Sequence, residues 1–306
     1  MTRTVTAGLD GTPESLAAAD WAAREALLRD LPLRLVNAGE WQLPACAPAS
    51  GLSVPTATCD QQRAGARSLL EEARARVGRS HPGLRIEADA LSGPPAPALL
   101  TAAEDADLLV LGSRGLGRLA GFVVGSVALS VLADCEGPVV LVRAEEHTDG
   151  DRLPDASTGG SSAAVVQGEV ILGLDLQKPS DQVIEFAFDA ARRRAANLRV
   201  VHGWTVPPYY YGGDLMPEVN VEMAAQAQRR LDDMLQPWQR KFPTVEMRTQ
   251  ATVGGAGPHL IEASRDAALV VVGRHVRRAA VGTHIGPVTQ ALLHHAAAPV
   301  AVVPHH

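Results

Sequence analysis

Short apolar runs rich in valine and leucine alternate along the whole chain with longer segments of helical periodicity. Runs near residues 4–9, 33–38, 84–91, 107–112 and 138–143 predict strands, and so do runs near 169–174, 198–203, 245–253, 268–273 and 299–303. Between strands of the first half, Pro13 to Arg29 and Gln61 to Val77 place apolar residues and many alanines at helical spacing. Leu108 to Leu111 and Leu269 to Val272 are apolar without alternation. A strand covered on both faces needs that pattern. The regular β/α alternation predicts an α/β fold with parallel sheets.

The pattern occurs twice. Gly8-Leu9-Asp10 returns as Gly173-Leu174-Asp175, and Leu33-Arg34-Leu35-Val36-Asn37 as Leu198-Arg199-Val200-Val201-His202. Leu108-Leu109-Val110-Leu111-Gly112 returns as Leu269-Val270-Val271-Val272-Gly273, and Gly137-Pro138-Val139-Val140-Leu141-Val142 as Ala298-Pro299-Val300-Ala301-Val302-Val303. The four matches keep their order, at offsets of 165 or 161 positions. A repeat of that length is a whole fold rather than a solenoid unit. The chain therefore reads as a first domain over 1–144, a linker over 145–167 rich in acidic residues, glycine and serine, and a second domain over 168–306.

Composition narrows the class. The net charge of −6 over 306 residues argues against a nucleic-acid partner, which selects for a basic stripe. No secretory pattern opens the chain, because Asp10 interrupts any apolar segment, and Leu119 to Ala133 is short for a membrane span. A cytoplasmic protein with no membrane partner is the expectation. Cys46, Cys59 and Cys135 have neither zinc nor disulfide spacing. The histidines His275, His284, His294, His295, His305 and His306 complete no metal motif, and neighbours on a helix point about 100° apart. Trp204 and Tyr209-Tyr210-Tyr211 lie in the loop over 204–217 after the second strand of the second half, suited to covering a base, to contacting a partner or to packing on its own domain.

The chemistry concentrates after the fourth strand. Gly112-Ser113-Arg114-Gly115 is followed, nine residues on, by Gly125-Ser126 at the start of an apolar helix over Val127 to Leu132. Glycines admit a ligand close to the backbone, and a helix N-terminus offers unpaired N–H groups and a positive dipole end. Together these predict an anion site for phosphate. In an open parallel sheet the ligand lies outside the carboxyl ends of the strands. That places Asp10, Ala38 and Gly112 side by side if strands one, two and four are neighbours. Asp10 then either faces a ribose hydroxyl or a phosphate-borne metal, or serves as a turn or cap residue ahead of Pro13. A P-loop is excluded, since no Gly-Lys-Ser/Thr exists, and Lys178 and Lys241 are the only lysines. Binding is favoured over phosphoryl transfer, which demands concentrated charge stabilisation.

These residues resemble the universal stress protein family in its tandem two-domain form, over essentially the whole chain outside the linker. The ATP-binding subgroup's G-2x-G-9x-G-[S/T] pattern is met by Gly112, Gly115, Gly125 and Ser126. The resemblance implies two Rossmann-like domains, each a five-stranded parallel sheet of order 3-2-1-4-5 with helices on both faces, paired through their last strands as an intrachain pseudo-dimer. It implies ATP, with Mg²⁺ held indirectly at Asp10, in a pocket formed with Gly8, Leu9, Ala38, Leu111, Arg114 and Val127. It further implies a stress-response regulator that is not an enzyme beyond weak ATP hydrolysis and that contacts an unknown protein partner or pairs as a homodimer. The second half departs from the pattern. Val276 replaces the second glycine, Arg277-Arg278 follow, and Gly286-Pro287 replaces Gly-Ser. Losing a hydroxyl and an N–H donor to phosphate, at roughly 1.5–3 kcal/mol each, weakens binding about a hundredfold or more. Asp175, Gly203, Gly273 and Gly286 then form at most a weaker second site. A slow ATPase or adenylating enzyme, and a nucleotide-independent scaffold, are the competing readings. AMP or a cyclic nucleotide competes with ATP as ligand.

Overall fold

The computed structural model describes residues 3–39, 56–113, 124–144, 168–204, 217–276 and 285–306. The first half runs β1 (Thr4–Gly8), α1 (Pro13–Arg29), β2 (Leu33–Gly39), α2 (Thr56–Ser80), β3 (Ile86–Ser92), α3 (Pro95–Glu104), β4 (Ala106–Gly112), α4 (Ser126–Asp134) and β5 (Val139–Val142). The second runs β6 (Glu169–Gly173), α5 (Asp181–Arg194), β7 (Leu198–Trp204), α6 (Pro217–Lys241), β8 (Met247–Val253), α7 (Ala256–Ala263), β9 (Ala267–His275), α8 (Pro287–His295) and β10 (Val300–His305). The linker over 145–167 lies outside the described residues.

The ten strands form one sheet, in the order β3-β2-β1-β4-β5-β10-β9-β6-β7-β8. Each half has the expected 3-2-1-4-5 arrangement, and all pairings within a half are parallel. The seam is antiparallel: Val139, Val140 and Leu141 of β5 face Val302, Ala301 and Val300 of β10. The halves therefore share one sheet instead of stacking two, and their carboxyl ends point in opposite directions.

The unbroken apolar strands are explained by helices on both faces. Leu108 and Val110 join the core beneath α1 and α2, while Leu109 and Leu111 turn to the opposite core beneath α3 and α4. Both cores continue across the seam into the second half, through Val271 and Val303 on one face and Val270 and Val302 on the other.

The halves are also joined where α1 and α5 end. Glu25, with 1% of its side chain exposed, accepts from Arg29 Nε at 2.7 Å and from Arg194 Nη2 of the second half. Arg29 Nη1 reaches Asp107 at 2.7 Å, and Arg193 Nη1 donates to Leu28 O at 3.1 Å. Burial works against the charge of Arg29, but Glu25 and Asp107 outweigh it and raise its pKa. Arg29 lies over the Phe186 ring and Arg194 over Trp21. Such a buried cluster makes removal of one partner far costlier than its formation is favourable. Among the described residues no helix is long and apolar enough to cross a membrane.

Candidate functional site

The order β2-β1-β4 brings the carboxyl ends bearing Ala38, Asp10 and Gly112 together, as the sequence requires. The turn from β1 to α1 is built from hydroxyls and a glycine. Gly11 has φ +85, and Asp10 Oδ1 accepts from Thr12 N at 3.0 Å and Thr12 Oγ1 at 2.5 Å. Thr12 Oγ1 in turn accepts from Ser15 N at 3.2 Å and caps α1, with Pro13 behind it. The cap is thus Thr12 rather than Asp10. Ser15 Oγ donates to Thr12 O and accepts from Asp10 N at 3.3 Å. Asp10 is exposed, with its carboxylate oxygen Oδ1 held by Thr12.

Asn37 Nδ2 donates to Leu9 O at 2.7 Å and Leu9 N to Val36 O at 2.8 Å, fixing the strand end beside Asp10. Leu9 and Leu111 are core residues, and a Cβ on Gly8 would lie 2.6 Å from Leu111 Cδ2. Leu9 thus packs into one core, and Leu111, with Gly8 against it, into the other. Gly112 has a sharper constraint: a Cβ there would fall 2.6 Å from Glu14 C and 2.7 Å from Ser15 N. Its missing side chain lets the first turn of α1 lie against the end of β4. Ser113, buried, gives both its N–H and its hydroxyl to Val142 O.

Beyond the turn, α4 begins at Ser126 with Gly125 as its cap residue and no side-chain cap. Leu129 N is the first to find an intrahelical acceptor, Gly125 O at 3.0 Å. The N–H groups ahead of it, that of exposed Ser126 among them, have no acceptor within the helix, as at any helix start. Val127 packs onto the core from its partly buried position. Arg114 and Gly115, with the rest of 114–123, lie outside the described residues. The strand order thus brings together Asp10, Ala38 and Gly112, while Gly125 and Ser126 form the start of α4. Sequence reasoning missed Asn37, Thr12 and Ser15. Thr-Pro-Glu at a helix start was the signal available for Thr12.

The second half repeats the plan and closes it. Asp175 Oδ1 accepts from Gln177 N at 2.9 Å, and His202 Nδ1 donates to Leu174 O at 2.9 Å in the place of Asn37. Yet α5 starts later, at Asp181 after the cap Ser180, and its first turn reaches Gly273 through the Val183 side chain, 3.2 Å from a Cβ placed there, instead of through its backbone. His305 lies closer still: a Cβ on Gly273 would meet His305 Nε2 at 2.8 Å. Burial first, then His275, lowers the pKa of His305, and the two rings stand edge to face at 5.5 Å. Thr289 Oγ1 donates to Gly273 O at 3.5 Å, and Pro287 occupies the first position of α8 after the cap Gly286. A Cβ on Gly203 would lie 2.7 Å from Ala256 Cα, so this glycine serves the packing of α7. Arg277, Arg278, His284 and the three tyrosines lie outside the described residues. Among the described residues no group of three or more His, Cys, Asp or Glu side chains could hold a metal ion.

A doubled 3-2-1-4-5 α/β sheet with helices on both faces defines the class, and comparison supplies the family. The pattern of the universal stress protein family matches residues 1–143 and again residues 168–304. The chain belongs to that family. A universal stress protein of Mycolicibacterium smegmatis is 31% identical over 303 residues, covering 97% of this chain and 95% of the relative. One from Mycobacterium tuberculosis strain H37Rv is 29% identical over 303 residues, covering 97% and 96%. The crystal structure of a universal stress protein from Archaeoglobus fulgidus shares the fold across 100% of both chains, with a TM-score of 0.71 at 14% identity.

Proposed function

We propose that the first half binds ATP, with Mg²⁺, and that the chain acts in the cytoplasm as a nucleotide-responsive regulator of the stress response. One observation supports this above the others: α4 starts at exposed Ser126, after the cap residue Gly125, beyond β4 in the half that presents Asp10. Phosphate oxygens would take the α4 N–H groups and the Ser126 hydroxyl. Asp10 would meet the ribose or the phosphate-bound cation, whose charge neutralisation is the chemistry Mg²⁺ supplies.

The second half would be silent, because Pro287 removes an N–H and His305 lies over Gly273. Turnover is not expected. Neither lysine falls in the first half, and Asp10 already has one oxygen engaged by Thr12. Signalling would pass through conformation to a protein partner or a second copy of the chain.

Isothermal titration with ATP and Mg²⁺, competed with AMP and cyclic AMP, tests this. One site per chain is expected. Ser126→Pro should weaken it about a hundredfold without lowering Tm, since Pro287 already occupies the matching position in α8. Two sites would overturn the silent second half. No binding would leave a scaffold, and phosphate release abolished by Asp10→Asn would make the protein an enzyme.

A further inference from the structure

Away from the α1–α5 cluster, two further arginines cross between the halves, and the internal repeat does not relate them. Arg274, at the carboxyl end of β9, is 7% exposed. It donates from Nη1 to Ala133 O at 2.8 Å and from Nη2 to Cys135 O. Those carbonyls close the C-terminus of α4 in the other half. Arg143, just past β5, donates from Nη2 to Leu293 O at 3.0 Å, near the end of α8. In the second half Arg274 pairs with Pro304 across β9 and β10. The corresponding neighbours in the first half are Ser113 and Arg143. Each half thus contributes one guanidinium from a different strand, and each caps the last helix of the other half.

The antiparallel seam makes this reach available. It sets the carboxyl end of β9 beside the amino end of β5, where α4 terminates. Helix α4 has only nine residues, a length that is marginal without outside support. It has no basic residue in its last turn and no side-chain cap at its first. Arg274 supplies the cation its C-terminal dipole and carbonyls call for.

We propose that Arg274 is a positioning residue for the first cleft, holding α4 so that Ser126 and its neighbouring N–H groups meet the ligand. This rests on the nucleotide reading given above. A ligand at one end of α4 and Arg274 at the other stabilise the same short element, so each strengthens the other reciprocally. Occupancy of the first cleft is thereby felt about 13 Å away, at Gly273 to Val276 on the rim of the second.

The test uses the full chain with Mg²⁺ and ATP, comparing wild type, Arg274→Met and Arg274→Lys by titration and amide hydrogen exchange. In wild type, ATP should slow exchange in Ser126–Leu129 and also in Gly273–Val276. Arg274→Met should bind about threefold to thirtyfold more weakly and lose the distant protection while keeping the local one. Arg274→Lys, which keeps the charge but loses the fork, should fall between. A general loss of stability alone would not separate the two protected segments. Wild-type binding together with unchanged affinity and distant protection in Arg274→Met overturns the inference alone. Absence of any wild-type binding overturns the nucleotide reading and this inference with it.

Discussion

Gly112 and Gly273 hold the same place in the repeat but have different neighbours, and substitution exposes the difference. A methyl group on Gly112 meets the backbone of Glu14 and Ser15, which cannot yield without moving the start of α1. On Gly273 it meets the ring of His305, the far end of a side chain that can rotate away. Gly112→Ala should therefore cost about 1–3 kcal/mol, seen as a clear drop in Tm by scanning calorimetry, and Gly273→Ala distinctly less. His305 carries its own signature. Its folded pKa lies below the unfolded value of about 6.5, because burial disfavours the imidazolium and His275 adds to that. Its neutral form is compatible with the fold. The contribution is complete above about pH 6.5 and is lost as the pH falls from there toward the lowered folded value. His305→Phe should narrow the gap between Tm measured near pH 7.5 and near pH 5.5 (about two units apart, spanning the ordinary range of a histidine). An unchanged gap would mean that other histidines carry it.

At the scale of elements, α1 and α5 show how one turn decides what a strand end can do. Thr12 caps α1 and also donates to Asp10, whereas Ser180 caps α5 at 3.5 Å and holds no carboxylate. Thr12→Ala should cost about 0.5–2 kcal/mol in denaturant unfolding and weaken ATP binding as well. Ser180→Ala should cost less and leave binding alone. The strands were legible because both faces are packed, which gives unbroken apolar runs, and their boundaries fall within about two residues of the sequence reading. The extensions of β9 to His275 and β10 to His305 were not, since polar residues there pair by register and bury little apolar surface. Helix α3 was hidden by Pro94, Pro95 and Pro97 at its start, where proline is compatible with a first turn. In the site, Asp10, Gly112, Gly125 and Ser126 could be read from spacing. Thr289, Arg274 and His305 act through contacts that exist only once the strands are assembled.

For the whole molecule, the seam is both strength and exposure. Val139 to Val142 of β5 are fully buried between β4 and β10. Expressed alone, residues 1–144 would present that strand as an open apolar edge, together with Glu25 and Arg29 stripped of Arg194. Sedimentation should find the isolated half as a dimer or larger species. A stable monomer would show that the edge is protected without its partner. Joining the two halves in one chain has a further effect, visible in the exchange of Ser113 and Arg143 for Arg274 and Pro304. Where two identical subunits meet about a twofold axis, every substitution is made twice and must suit both sides at once. Here each side is encoded separately, so an arginine can be gained on one strand and dropped from its counterpart independently. The fused gene releases the interface from symmetry, and one half could be given over to support while the other kept the turn that bears Asp10.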